Sequence, residues 1–161
     1  MGLDQFLFKK SSIYANYDFE GIKGTLELTK TTSGNVTSPI PIKLNRVTEI
    51  TEQVMYWRKS NHIHKWFVDN IQNGVDDCGD YDVTIEQLKE LLKLCKKVQK
   101  DHSQADELLP TQSGFFFGGT NYDEWYFQDI DETVKALTNI IKEDKADTSG
   151  VWTRYTYSSS W

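Results

Sequence analysis

The chain has 161 residues, of which 38% are hydrophobic and 26% charged, and a formal charge of −6. That length suits one domain with a real core, and the acidic balance argues against a general nucleic-acid binder, which needs a basic face. No apolar run approaches the length of a membrane span, and two cysteines, Cys78 and Cys95, are too few for a disulfide scaffold and point to reduced thiols in a cytosol.

The opening MGLDQFLFKK has no basic region ahead of an apolar stretch, so it does not read as a signal peptide, and Phe6 stands where an N-myristoylation signal needs Ser or Thr. Residues 3–8 alternate loosely and predict a first strand, and Tyr14, Tyr17 and Phe19 are expected to pack. Residues 24–45 read as an inserted β-hairpin around a Ser33-Gly34-Asn35 turn. Leu26 and Leu28 alternate on its first arm, and Ile40, Ile42 and Leu44 on its second. Pro39 and Pro41 remove two ladder donors, which makes the second arm an edge strand. The next segment, VTEITEQVMYW, reads as a strand or as the lead-in to a helix.

Residues 57–72 carry helical periodicity. Tyr56, Ile63, Phe67 and Ile71 fall on one side, Arg58, Asn61, Lys65 and Asp69 on the other, with His62 and Trp66 on the flank. Gly74 is a stop signal, Asp76-Asp77-Cys78-Gly79-Asp80 a turn, and Tyr81–Val83 a short strand. Thr84 and Gln87 make a capping box ahead of the stripe Ile85, Leu88, Leu91, Leu92, Cys95 and Val98. Acids come early in that helix and lysines late, as the helix dipole favours. A helical turn is expected at 105–109. A last helix is expected from near Asp129, with Glu132 at its capping-box position and Ile130, Val134, Leu137 and Ile141 buried. Val151, Thr153, Tyr155 and Tyr157 share one face of a terminal strand. The expectation is a single α+β domain, 1–161. Three main helices would pack on a small antiparallel sheet made of the N-terminal strand, the hairpin, a short central strand and the C-terminal strand.

Several blocks are long and specific: the start MGLD, the run YWRKSNHIHKWFVDNIQNGVDDC, the run ELLPTQSGFFFGGTNYDEWY and the ending YSSSW. On these the chain resembles a family of small phage- and prophage-encoded proteins without an established activity. The likeness covers most of the chain outside residues 24–45 and 143–150. It implies a viral origin, a bacterial cytoplasm as workplace and an accessory role outside the virion. Such proteins often neutralise host defences.

Four patterns bear on chemistry. The stripe Arg58, His62, Lys65 and Asp69, with Trp66 beside it, combines cations, an imidazole and a stacking surface, as a nucleotide or phosphate site needs; an exposed helix face is normally charged in any case. Thr111, Gln112, Ser113 and Gly114 on one side of Phe115–Phe117, and Gly118, Gly119 and Thr120 on the other, offer short side chains and accessible N–H groups, with Tyr122 and Trp125 as facing aromatics. No P-loop or dinucleotide fingerprint is present, and the alternative is a buried strand, Gly114–Phe117, with Phe116 facing opposite to its neighbours. Asp76 and Asp77, with Asp80, Asp82, Cys78, His62 and His64, are weak metal candidates: the spacing matches no established metal motif, and a capped polar turn explains the acids. Acids at 123–132 add to those at 76–82 as a weak case for nucleic-acid mimicry.

The leading expectation is a non-enzymatic accessory protein without cofactor, acting on a host protein or a small anionic nucleotide-type ligand. The ligand version rests on Arg58, His62, Lys65 and Trp66 facing Thr111–Gly114, Tyr122 and Trp125. The protein-partner version rests on Phe116, Trp125 and Trp161. The alternatives are a metal-dependent hydrolase of a phosphate-containing substrate, using Asp76 and Asp77, and a homo-oligomeric scaffold.

Overall fold

A computed structural model of the chain describes residues 2–14, 23–32 and 36–161, so the Ser33-Gly34-Asn35 turn and the packing expected of Tyr17 and Phe19 lie outside the described residues. Strand β1 (Asp4–Ser12) alternates as its sequence does: Gln5 and Leu7 are buried, Phe6 and Phe8 half-buried. Strands β2 (Leu28–Thr32) and β3 (Val36–Ile40) form the hairpin, and β4 (Glu49–Arg58) follows a short 3-10 turn at Leu44–Arg46. Then come α1 (Asn61–Asn70), β5 (Asp80–Val83), α2 (Ile85–Lys100), the one-turn α3 (Ala105–Leu108), α4 (Glu124–Ala146) and β6 (Thr153–Ser160). The class is α+β, with an antiparallel four-stranded sheet in the order β4-β1-β6-β5.

Two finer expectations need correction. The hairpin pairs only with itself, Leu28 against Ile40 through to Thr31 against Thr37. The place expected for it in the main sheet is taken by β4, the segment whose sequence left strand and helix open. Its second arm is also shorter than the alternation of Ile40, Ile42 and Leu44 suggests, because Leu44 starts the 3-10 turn. Besides the three main helices, the turn expected at 105–109 forms a fourth helix, α3. The chain divides into two compact units. One comprises Met1–Lys9, Glu52–Gly150 and Arg154–Trp161, the other Lys10–Thr51 and Val151–Thr153. In the second unit, Ser12 N–H donates to Trp152 O (2.9 Å) and Ile13 N–H to Thr48 O (2.9 Å).

The first unit holds one apolar core to which both sheet and helices contribute, among them Leu7, Trp57, Phe67, Leu88, Leu91, Ile130, Leu137 and Tyr157. The capping box forms as its sequence dictates: Gln87 N–H donates to Thr84 Oγ1 (3.2 Å) and Thr84 N–H to Gln87 Oε1 (2.8 Å). The cost of losing such a cap is ~1 kcal/mol. Helix α2 then lays Leu88, Leu91, Leu92, Cys95 and Val98 inward along α4. Burial pushes the Cys95 thiol up to about 12, which makes it an inert core group.

Helix α1 departs most from its sequence reading. Trp57 and Arg58 end β4 instead of opening the helix, and Asn61, His62, Ile63, His64, Trp66, Phe67 and Val68 are all buried. The flank that carries His62 and Trp66 is therefore covered while Asp69 stays exposed, and period-3.6 reasoning cannot see the second cover. The covers are visible in ring contacts. Phe67 stacks on Tyr157 of β6 (centroids 3.8 Å apart), while His62 stacks on Tyr126 of α4 (4.1 Å). Helix α4 also starts earlier than expected, at Glu124, with Asp123 as its N-cap. Within it Ile130, Thr133, Leu137 and Ile140 are buried, whereas Val134 and Ile141 are half-buried.

Candidate ligand-binding site

The stretch Gly114–Phe117 is a turn, not the strand anticipated for it. Phe117 N–H donates to Gly114 O (3.2 Å) and Phe116 takes a left-handed φ of 69°. Phe117 alone enters the core, edge-on to His64 (5.2 Å) and to Trp161 (5.9 Å). Its ring folds back over Gly114 so closely that a Cβ there would sit 2.5 Å from it, which is why that position has no side chain. Phe115 and Phe116 remain 79% and 43% exposed.

The loop is latched at both ends and at its middle. Thr111 Oγ1 donates to Thr120 O (3.0 Å) across its base. Asn61, at the start of α1, clamps it with its whole amide: Nδ2 donates to Phe117 O (3.2 Å) and Gly119 O (2.8 Å), and Oδ1 accepts from Gln112 N–H (3.0 Å). Leu3 N–H donates to Phe116 O (3.2 Å), and Lys59 N–H to Leu3 O (2.7 Å). Lys59 has a left-handed φ of 61°, and Gly118, at φ 91°, runs so near it that an added Cβ would lie 3.1 Å from Lys59 Cβ. A closed loop packed by its own side chains is a common functional unit.

Between this loop, the β4–α1 junction and the first turns of α4 lies a cavity of about 460 Å³, within the range of small-molecule sites. Arg58 and Lys59 bring two cations to its wall. Asp123 and Asp129 bring two carboxylates. Asp123 is occupied as the α4 cap, accepting from Trp125 N–H (3.1 Å) and Tyr126 N–H (3.2 Å). Asp129 is not: burial raises its carboxyl to about 6, against the pull of the Ser60 hydroxyl nearby, which itself forms no hydrogen bond of good geometry. Among the described residues neither cation forms an ion pair with either carboxylate, although all four line one space. His62 lies 3% exposed on the same wall, its Nε2 without a partner among the described residues. Burial depresses it to about 3, so the ring is neutral at physiological pH. Trp125, 67% exposed, stands at the edge as an open aromatic surface.

Six residues singled out in the sequence, Arg58, His62, Thr111, Gly118, Gly119 and Trp125, share this cavity. The others take different places. Lys65 is bound to Asp69 (2.7 Å) and, with Trp66, lines a separate small cavity of about 80 Å³. Trp66 is a core residue packed edge-on to Phe67 (5.2 Å), not a free stacking surface. The expected stripe Arg58, His62, Lys65 and Asp69 does not exist as one face, since Arg58 lies on the strand and His62 is buried. Gln112 reaches Asn61 through its backbone, Ser113 and Gly114 are exposed outside the cavity lining, and Tyr122 packs edge-on to Tyr126 (5.0 Å). Lys59 and Tyr126 were not anticipated at a site, and Asp129 only as one of the acids of a possible nucleic-acid mimic. A helix starting at Asp123 would have put Trp125 and Asp129 on one face, four residues apart; placing the start near Asp129 hid that pairing.

Asp76 and Asp77 are engaged elsewhere. Asp76 takes His64 Nε2 (3.0 Å) and Trp161 Nε1–H (3.0 Å), and Asp77 accepts from Gly79 N–H and Tyr81 O–H (both 2.9 Å). Among the described residues no three His, Cys, Asp or Glu side chains converge as a metal site, and no helix is long and apolar enough to cross a membrane. No family model, curated protein or solved structure matches the chain.

Proposed function

We propose that the chain is a non-enzymatic phage accessory protein of the bacterial cytoplasm, which blunts a host defence by sequestering a small anionic ligand of the nucleotide type in this cavity. The observation that carries the reading is the wall itself: two cations without an ion pair among the described residues, a buried neutral histidine whose Nε2 has no partner among them, and an open indole around one space. Buried polar groups normally find partners within the chain, so an orphan beside a cavity is a place for a ligand atom. Arg58 and Lys59 suit a phosphate, Arg58 by a bidentate fork. The N–H groups of Gly118 and Gly119, which have no acceptor among the described residues, suit a second anionic oxygen. Trp125 suits a ring. Calorimetric titration with nucleoside monophosphates tests this. Arg58→Ala should weaken binding by ~10-fold or more, in line with a lost charge-assisted contact, while Lys65→Ala leaves affinity alone because its ammonium belongs to Asp69. Equal affinity in the Arg58 variant contradicts the reading.

Obstruction of a host protein is the second reading, and the exposed pair Phe115 and Phe116 favours it. Their rings contact each other (4.2 Å), and Phe116 is held in a backbone conformation that a bulky residue rarely adopts. A host protein retained by the chain and released by the double substitution Phe115→Ala, Phe116→Ala would establish it; retention by the double variant would dismiss this surface.

A further inference from the structure

We infer that the cavity selects a guanine base, with the Asp129 carboxylate accepting the adjacent N1–H and N2–H donors while Trp125 covers the ring and Arg58 and Lys59 hold the phosphate. The inference rests on the nucleotide reading above and narrows it to one base.

It follows from counting which polar groups of the wall are still free. Asn61 has spent both N–H donors and its oxygen on the loop. The Thr111 hydroxyl proton goes to Thr120 O. Asp123 caps α4. Asp129 is left as a partly buried carboxylate with the Ser60 hydroxyl nearby but no N–H donor among the described residues, in a cavity whose two cations form no ion pair with it. An ionised carboxylate is purely an acceptor with two oxygens side by side, so it calls for two adjacent donors on the ligand.

Guanine alone among the common bases has that edge, N1–H next to the N2 amine. Adenine and cytosine set a ring-nitrogen acceptor beside their amine, and that acceptor would oppose the second carboxylate oxygen. Uracil flanks its single N–H with two carbonyls. Position agrees with this chemistry. Trp125 and Asp129 are four residues apart on α4 and lie on one helix face, so a ring resting on the indole has its edge within reach of the carboxylate.

The sign of the pH dependence is fixed as well. Burial, with the nearby Glu132 and Asp123 carboxylates, raises Asp129 to about 6 against the Ser60 hydroxyl, and Arg58, Lys59 and the neutral His62 line the same wall. Above about pH 6 the carboxylate is ionised and accepts both donors. Below it the group is protonated, one oxygen becomes a donor, and the edge of adenine becomes the better match.

The test is calorimetric titration of the full chain and of Asp129→Asn with guanosine, inosine and adenosine 5′-monophosphates, at about pH 7.5 and about pH 5.5. At the higher pH the guanine nucleotide should bind ~10-fold or more tighter than the adenine one, because a site built for donors rejects a base that lacks them. Inosine keeps N1–H but lacks the amine, and should fall between. Asp129→Asn should erase the preference while melting no lower than the parent, and acid should narrow it. Equal binding of the guanine and adenine nucleotides, or a preference that survives Asp129→Asn, overturns the inference and leaves the nucleotide reading standing. Failure of all three nucleotides to bind overturns both.

Discussion

His62 and His64 stand two residues apart on one helix and are both buried, yet one side of the helix is closed and the other is not. Along the chain of groups through His64, each donor in turn has an acceptor among the described residues, and only the Ser159 hydroxyl beside Tyr157 is left over. Gln5 Nε2–H donates to Ser60 O (3.1 Å), which turns Gln5 Oε1 toward the Tyr157 hydroxyl (3.0 Å). That hydroxyl spends its proton on Gln5, so it receives one from His64 Nδ1 (2.7 Å). His64 Nε2 meets Asp76, whose other oxygen holds the Trp161 indole. The network ties β1, β6, α1 and the last residue of the chain together, and nothing in it is left for a ligand. Around His62 the polar inventory does not close: Nε2 has no partner among the described residues, and the neighbouring Asp129 has no N–H donor. A saturated buried network fixes the fold, whereas an unsaturated one beside a cavity is where the proposed ligand would complete the pairing.

The contrast can be broken at either histidine, and the closed side should give the larger effect on stability. His64→Ala leaves the Tyr157 hydroxyl with Gln5 as its one partner, frees one Asp76 oxygen and opens a void beside Phe117 and Tyr157, which together should cost ~3 kcal/mol. For a chain of this length that is a fall in Tm of roughly 10 °C, read by calorimetry. A shift of only a degree or two would mean that the network is not what locks this side.

The open side should respond more weakly and through pH. His62→Phe keeps a ring against Tyr126 and removes the orphan nitrogen, so stability near pH 7 should change by less than about 1 kcal/mol. Acid separates parent and variant. The folded state holds His62 near 3, below its ordinary 6.5, so the unfolded chain takes up the proton first. The stability that depends on a neutral ring is whole above pH 6.5 and is lost as pH falls toward 3. Urea melts from pH 7 to pH 4 should show this slope in the parent and a flatter one in His62→Phe. Equal slopes would remove His62 as the acid-sensitive group. Asp129 acts in the opposite sense: its folded value is raised above the ordinary 3.8, so the cost of burying it is felt above about 6 and fades as pH falls through that window.

Part of this was legible in the residues. The capping box at Thr84 and the stripe after it specified α2 because local chemistry and the buried face agree there. Arg58, His62, Thr111 and Trp125, named from their chemistry, line one cavity, though not through the helix stripe expected of them. Periodicity assumes one covered face, and α1 has two, so Trp66 and His62 read as flank residues when both are core. The three phenylalanines could not be divided in advance. Phe117 goes inward and its neighbours outward because Asn61 and Leu3 hold the loop from distant parts of the chain, and such long-range clamps leave no local pattern. Asp129 was hidden by the aromatic run before it, which obscured Asp123 as a helix cap.

The most direct test of the nucleotide cavity is 15N chemical-shift mapping of the full chain titrated with guanosine 5′-monophosphate. The account predicts saturable, concerted shifts of the Gly118 and Gly119 amides and the Trp125 indole N–H, with the amides of the lysine-rich face of α2 at Lys93, Lys96 and Lys100 unmoved. Shifts confined to those lysines, or none at any of these groups, would contradict it.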